Sequence, residues 1–231
     1  MYQVLPDIYC MEGLSTVNVY LLVTPEGLTL IDTGMPDHAK TIAAQILKAG
    51  FKLEDLHRIV LTHSHPDHAG SAAELSNQTG AWIIAHKDEA PYIEQKAALP
   101  MKPGLMRTIM GMMGWFMPKL TPCYVDKVLE DGDEIAGTGG FRAVFTPGHT
   151  PGSLSLFHAE KKMLICGDAL FNLNPVTRRK GLRLPPAMLT TDISRAKDSV
   201  RKMAGLDVDI LVCGHGEPVT DHTNQRIRAL L

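Results

Sequence analysis

"LTHSHPDHAG", residues 61–70, carries three histidines and one aspartate within six positions, wrapped around Pro66. His63 and His65 alternate along an extended stretch and project to one side, whereas Asp67 and His68 are adjacent and fall where a helix begins. Pro66 suits that junction, because its fixed φ and missing N–H hold the chain extended and are tolerated in a first helical turn. Four donors so crowded serve one tetrahedral ion poorly. Two neighbouring ions fit them better, each taking two donors from this turn and completing its shell from elsewhere.

Reading outward, "HRIVLT" is a short buried strand leading into the turn, and "AGSAAELSNQTG" is a helix stopped by Gly80. Upstream, "VNVYLLVTPEGLTLIDTG" is a hairpin about Pro-Glu-Gly whose second strand runs out at Asp32, followed by a helix over roughly 36–49 that Gly50 ends. "AWIIAH" is a further strand. "FRAVFT" and "GSLSLFHAEKKMLICGDAL" repeat the pattern, with a second strand that ends at Asp168. A helix near 191–203, the strand "VDILVCG" and a helix near 221–229 complete the chain. Strand and helix in alternation, with two hairpins that each end in aspartate, predict an internally duplicated α/β protein. Apolar strands need both faces covered, so two sheets pack together with helices outside. One domain over residues 1–231 is expected.

A hydrophobic fraction of 45% in 231 residues is ample for a continuous core, and a net charge of −2 gives no global reason to bind nucleic acid or an anionic membrane. Four cysteines lie far apart without a Cys-x-x-Cys pair, which argues against a zinc ribbon or a disulfide scaffold. No leader or membrane span is read in the sequence, and a cytoplasmic location is expected.

The donors that would complete two shells are His149 in "FTPGHTPGS", Asp168 in "CGDAL" and His215 in "VCGHGEP". Each follows a strand end, so all three can gather on one edge of a layered α/β protein. Imidazole and carboxylate donors suit zinc, with iron or manganese also acceptable. His38, His57, His86, His158 and His222 fit no such position and are expected as ordinary surface or core residues, and Cys213 as a packed apolar group.

H-x-H-x-D-H followed by a distant His, Asp and His resembles the metallo-β-lactamase-fold hydrolase superfamily, over nearly the whole chain. The resemblance implies an αββα sandwich of two packed mixed sheets. It also implies a first divalent ion on His63, His65 and His149, a second on Asp67, His68 and His215, and Asp168 bridging them. Asp32 would order the ligand loop through hydrogen bonds without touching metal. The implied chemistry is hydrolysis by a metal-bridging hydroxide, with Asp67 as the catalytic proton carrier.

"GDALF" is similar to the glyoxalase II thioesterases, but the basic, glycine-rich continuation of those enzymes is replaced by "NLNPVTRRK". Lactonases of the superfamily often place tyrosine three residues after the bridging aspartate, where this chain has Phe171. Dedicated β-lactamases usually lack that aspartate. A small ester, lactone or thioester with an apolar portion is the expected substrate. The rivals are an iron-dependent persulfide dioxygenase, a phosphodiesterase, a β-lactamase and a metal-binding sensor without turnover.

"PMKPGLMRTIMGMMGWFMP", residues 100–118, holds six of the twelve methionines. Such a segment makes an adaptable apolar surface, and a helical cap over about 88–122 is expected, with a homodimer face as a compatible role. Met110, Met113, Trp115, Phe116 and Phe171 are its candidate substrate contacts. If the cap lines an acyl pocket, each substrate methylene gains up to ~0.8 kcal/mol until the pocket is full. Trimming Trp115 and Phe116 to alanine should flatten that climb in kcat/KM across a homologous ester or lactone series and spare the shortest substrates. Parallel chain-length profiles for parent and variant would contradict the cap.

Overall fold

The computed structural model describes residues 1–14, 17–100 and 120–231. The methionine-rich segment, with Met110, Met113, Trp115 and Phe116, therefore lies outside the described residues. The chain opens with β1 (Tyr2–Leu5), β2 (Ile8–Cys10), β3 (Tyr20–Thr24) and β4 (Gly27–Ile31), then α1 (Ala39–Lys48), β5 (Leu56–Val60), α2 (Pro66–Ala69), α3 (Ala72–Thr79), β6 (Trp82–His86), α4 (Ala90–Ile93) and β7 (Lys127–Leu129). After these come β8 (Arg142–Phe145), β9 (Leu154–His158), β10 (Met163–Ile165), β11 (Phe171–Leu173), β12 (Lys180–Arg183), α5 (Ile193–Ala204), β13 (Ile210–Val212) and α6 (Thr223–Arg228).

Strands β1 to β7 form a seven-stranded sheet in chain order, and β8, β9, β10 and β13 form a four-stranded sheet in the order β13-β10-β9-β8. Both sheets are mixed: β1 to β4 run antiparallel and β4 to β7 parallel, while β13 is parallel to β10 among otherwise antiparallel neighbours.

Alternation of side chains along each strand sorts the apolar residues into layers. Leu21, Leu28, Leu30, Ile59 and Ile83 face outward and pack with Ile42 and Ile46 of α1 and Leu75 of α3. Their neighbours Tyr20, Leu22, Ile31, Val60 and Ile84 face inward and meet Leu156, Met163, Ile165 and Val212 of the second sheet, with Phe141 just before β8. Leu164 and Leu211 face the other way, against Val200 and Met203 of α5 and Ile227 of α6. Three apolar clusters between four layers make an αββα sandwich, as expected.

Several expectations shift in detail. Asp168 does not end a strand: β10 stops at Ile165 and Asp168 sits on the short 3-10 turn Gly167–Ala169. Lys180–Arg183 pairs antiparallel with Phe171–Leu173, a two-stranded ribbon outside the elements expected from the sequence. The two halves are unequal, seven strands against four, because β1, β2 and β7 extend the first sheet. Among the described residues, no helix is long and apolar enough to cross a membrane.

Candidate metal centre

The seven expected donors converge at one end of the sandwich. His63 and His65 lie on the extended segment after β5, and Asp67 and His68 fall within α2, which has Pro66 in its first turn after an extended His65 (φ −64°, ψ 146°). His149 comes from the β8–β9 connection, Asp168 from the turn after β10 and His215 from the loop after β13. Their donor atoms form three groups, His63–His65–His149, His63–His68–Asp168 and Asp67–His68–His215, each with all atoms within 4.8 Å of one another.

Asp168 is the hub. Its Oδ2 lies 3.9 Å from His63 Nε2, 3.5 Å from His149 Nε2 and 3.4 Å from His215 Nε2, and its Oδ1 lies 3.4 Å from His68 Nε2. His65 Nδ1 approaches His63 Nε2 at 3.1 Å and His149 Nε2 at 2.9 Å. Asp67 Oδ2 stands 3.5 Å from His215 Nε2, and its side chain is 36% exposed, which places it at the mouth.

Burial, reinforced by the neighbouring imidazoles of His68, His65 and His149, holds His63 well below the ordinary histidine range. Burial and His65 likewise push His149 down to about 3. Both rings are therefore neutral at neutral pH, the form that offers a lone pair. His68 runs the other way: burial opposes its charge, but Asp168, Asp67 and Asp32 together raise it well above the ordinary range. Burial also opposes charge on Asp168, and His215 and His68 overcome it, holding the carboxyl well below the usual carboxylate range.

Whether this donor set fits divalent cations is answered by its buried polar atoms. His68 Nε2 and Asp168 Oδ1 are buried and face one another at 3.4 Å without a well-formed hydrogen bond, a costly arrangement for protein groups alone. A cation between them satisfies both. The set is imidazole nitrogen and carboxylate oxygen without cysteine, which suits zinc, iron or manganese.

Supporting residues fix the aim of these groups. Asp32 follows β4 at a positive φ of 62°, an uncommon conformation for a residue with a side chain. Its carboxylate accepts from Thr62 N (2.7 Å) and Thr62 Oγ1 (2.8 Å), and it stands 2.8 Å from His68 Nδ1. With the Nδ1 proton shared there, His68 turns Nε2 inward. Asn18 was not among the expected residues, yet its backbone N donates to Gly214 O (2.7 Å) and its amide to Cys213 O (3.0 Å) and Gly216 O (2.6 Å). Tyr20 Oη also donates to Cys213 O at 3.0 Å. Together they hold the loop that carries His215.

Phe171 is 1% exposed, with ring centroids 6.1 Å from His149 and 5.0 Å from His215. It packs against two imidazoles and exposes almost no surface of its own. The histidines set aside in the sequence do lie elsewhere: His57 approaches Glu26 O, His86 stacks on Phe145 and His158 approaches Gly139 O. Cys213 is fully buried, with its Sγ 3.6 Å from Cys166 Sγ.

The sequence model of the metallo-beta-lactamase superfamily matches residues 13–215. YflN of Bacillus subtilis, described as a probable metallo-hydrolase, is 32% identical over 219 residues, covering 88% of this chain and 81% of its own. The hydroxyacylglutathione hydrolase of Rhodospirillum rubrum is 28% identical over 213 residues, covering 90% of this chain and 66% of its own. Among solved structures, a Cronobacter sakazakii metallo-beta-lactamase with a HARLDQ motif has a TM-score of 0.70 at 25% identity, covering 93% of this chain and 80% of its own.

Gly214 offers a direct test of how tightly the cluster is packed. A Cβ at this position would fall on Asp168 Oδ1 and His68 Cε1. Gly214→Ala should therefore weaken zinc binding by about 10-fold or more, the scale seen when ligand orientation is lost, while the far-ultraviolet circular dichroism stays that of the parent. Competition with a chromophoric chelator measures it. Parent-like affinity would mean that the two side chains have room to give.

Proposed function

Since the chain belongs to the metallo-beta-lactamase superfamily, we propose that it is a metal-dependent hydrolase of a small ester, lactone or thioester with an apolar portion. In this reading His63, His65 and His149 would hold one divalent ion, Asp67, His68 and His215 would hold a second, and Asp168 would serve both. Zinc is the favoured metal, with iron or manganese compatible with the same donors. The observation that carries the reading is the place of Asp168, whose two oxygens face four imidazoles from both prospective sites at 3.4–3.9 Å.

When bound, the ions supply a nucleophile from water near neutral pH and polarise the substrate's electrophilic oxygen. The residues of the chain do the rest. Asp168 brings a negative charge that His215 and His68 stabilise against burial. Asp32 keeps His68 Nε2 turned toward the cluster. Asp67, about one-third exposed at the mouth, is placed to carry a proton to the leaving group. Phe171 closes the flank beside His149 and His215 against water.

The thioester option is supported by the similarity to the hydroxyacylglutathione hydrolase. The "NLNPVTRRK" stretch, Asn172 to Lys180, instead shapes the short β11–β12 hairpin beside the cluster, and this favours a substrate other than a glutathione conjugate. Phosphodiesters and β-lactams are the alternatives that the same assay separates.

A panel of zinc-loaded assays over esters, lactones, thioesters, phosphodiesters and β-lactams tests the proposal. Turnover of at least one of the first three classes is expected, lost on chelation and restored by zinc. Asp168→Ala should lower kcat by about 100-fold or more, as removal of a group that organises charge at the reacting centre does. Turnover confined to phosphodiesters or β-lactams, or an unchanged kcat in the alanine variant, would overturn it.

A further inference from the structure

Glu89 is a buried carboxylate outside the seven-residue cluster. It is 0% exposed, a position that a charged residue occupies only when fully hydrogen-bonded. Its Oε1 accepts from Ser64 N at 2.8 Å, and its Oε2 accepts from Thr150 Oγ1 at 2.9 Å and Gly152 N at 2.8 Å. Burial raises its carboxyl above the ordinary range, and the hydrogen bonds from Ser64, Thr150 and Gly152 work against that rise.

The three donors are not scattered. Ser64 lies between His63 and His65, and Thr150 and Gly152 follow His149. One side chain thus fastens together the two segments that carry all three members of the His63–His65–His149 group, segments that come from different sheets. Glu89 is itself fixed at the start of α4, where its N donates to His86 O at 2.9 Å and its carbonyl accepts from Tyr92 N at 3.0 Å. The His149 segment approaches closely: a Cβ on Gly152 would strike the Glu89 backbone nitrogen. Within the loop, Thr150 N donates to Ser153 Oγ at 3.0 Å, which completes a rigid support.

We propose that Glu89 is a positioning residue for metal binding, setting the separation between the His63–His65 segment and His149 and so the affinity of that group for a divalent ion. It complements Asp32, which aims His68 of the other group. The proposal rests on the metal-ligand reading given above and adds a residue that touches neither metal nor substrate.

Glu89→Gln keeps the size of the side chain but leaves one oxygen to accept and turns an NH2 against at least one of the three donors. Zinc titration against a chromophoric chelator, the visible spectrum of the cobalt(II)-substituted protein and the melting temperature of the metal-free protein are compared with the parent. The expected result is a folded variant that binds one of its two ions about 10–100-fold more weakly, with the cobalt absorption of that ion altered and the other ion unaffected. A lower melting temperature with parent-like affinity and cobalt spectrum would make Glu89 merely structural and overturn the proposal. Should Glu89→Gln fail to fold, Glu89→Asp, which keeps the charge but is shorter by one methylene, is read by the same criteria. A parent that takes up no ion overturns the metal-ligand reading and this proposal together. A parent with two ions and a variant indistinguishable from it overturns this proposal alone.

Discussion

The carboxylate of Asp168 is only 5% exposed and looks onto the nitrogens of His63, His68, His149 and His215. An ionised group taken so far out of water costs several kcal/mol unless opposite charge meets it. Here the imidazoles come from three separate stretches of chain, so the compensation exists only when both sheets are formed and docked. Divalent cations among these groups would add the positive charge that such a donor cluster is suited to hold. The fold and the donor cluster are therefore mutually dependent: the sandwich brings the donors together, and the charges left at its edge favour a bound cation over bare protein.

Around that centre the protein uses fixed side-chain hydrogen bonds more than flexible salt bridges. Asp32 accepts from Thr62 and meets His68, Glu89 accepts from the two loops of the first group, and Asn18 with Tyr20 ties down the loop of His215. Each of these residues sits on or beside a strand or helix end, so loop positions inherit the stiffness of the packed layers. The positive φ of Asp32 is the visible cost of one such placement.

Much of this was legible in the sequence for physical reasons. The turn at 61–70 declared its donors because histidine and aspartate rarely crowd around a proline without a cation to hold. Gly80 stops α3 as expected, in the left-handed conformation with φ 73°, which glycine adopts without strain. Alternating apolar strands disclosed the layers. What stayed hidden depends on distant contacts. Glu89 stands in "HKDEA", where an acidic residue after a strand reads as a solvated loop, and only folding brings it to Ser64 and Thr150. The ring of Phe171 could be placed near the cluster but not oriented, since its burial comes from His149 and His215 on other elements. The β11–β12 pairing escaped because its strands are short and carry basic residues that weaken an apolar pattern.

The central claim is that imidazole and carboxylate donors, assembled from both sheets, bind two divalent ions. X-ray absorption on zinc-saturated, desalted protein, with metal content read by plasma emission on the same sample, tests it most directly. The account predicts two ions per chain and a neighbour shell of nitrogen and oxygen alone, as the donor groups of the cluster require. One ion or none after saturation, or sulfur in the neighbour shell, would contradict it.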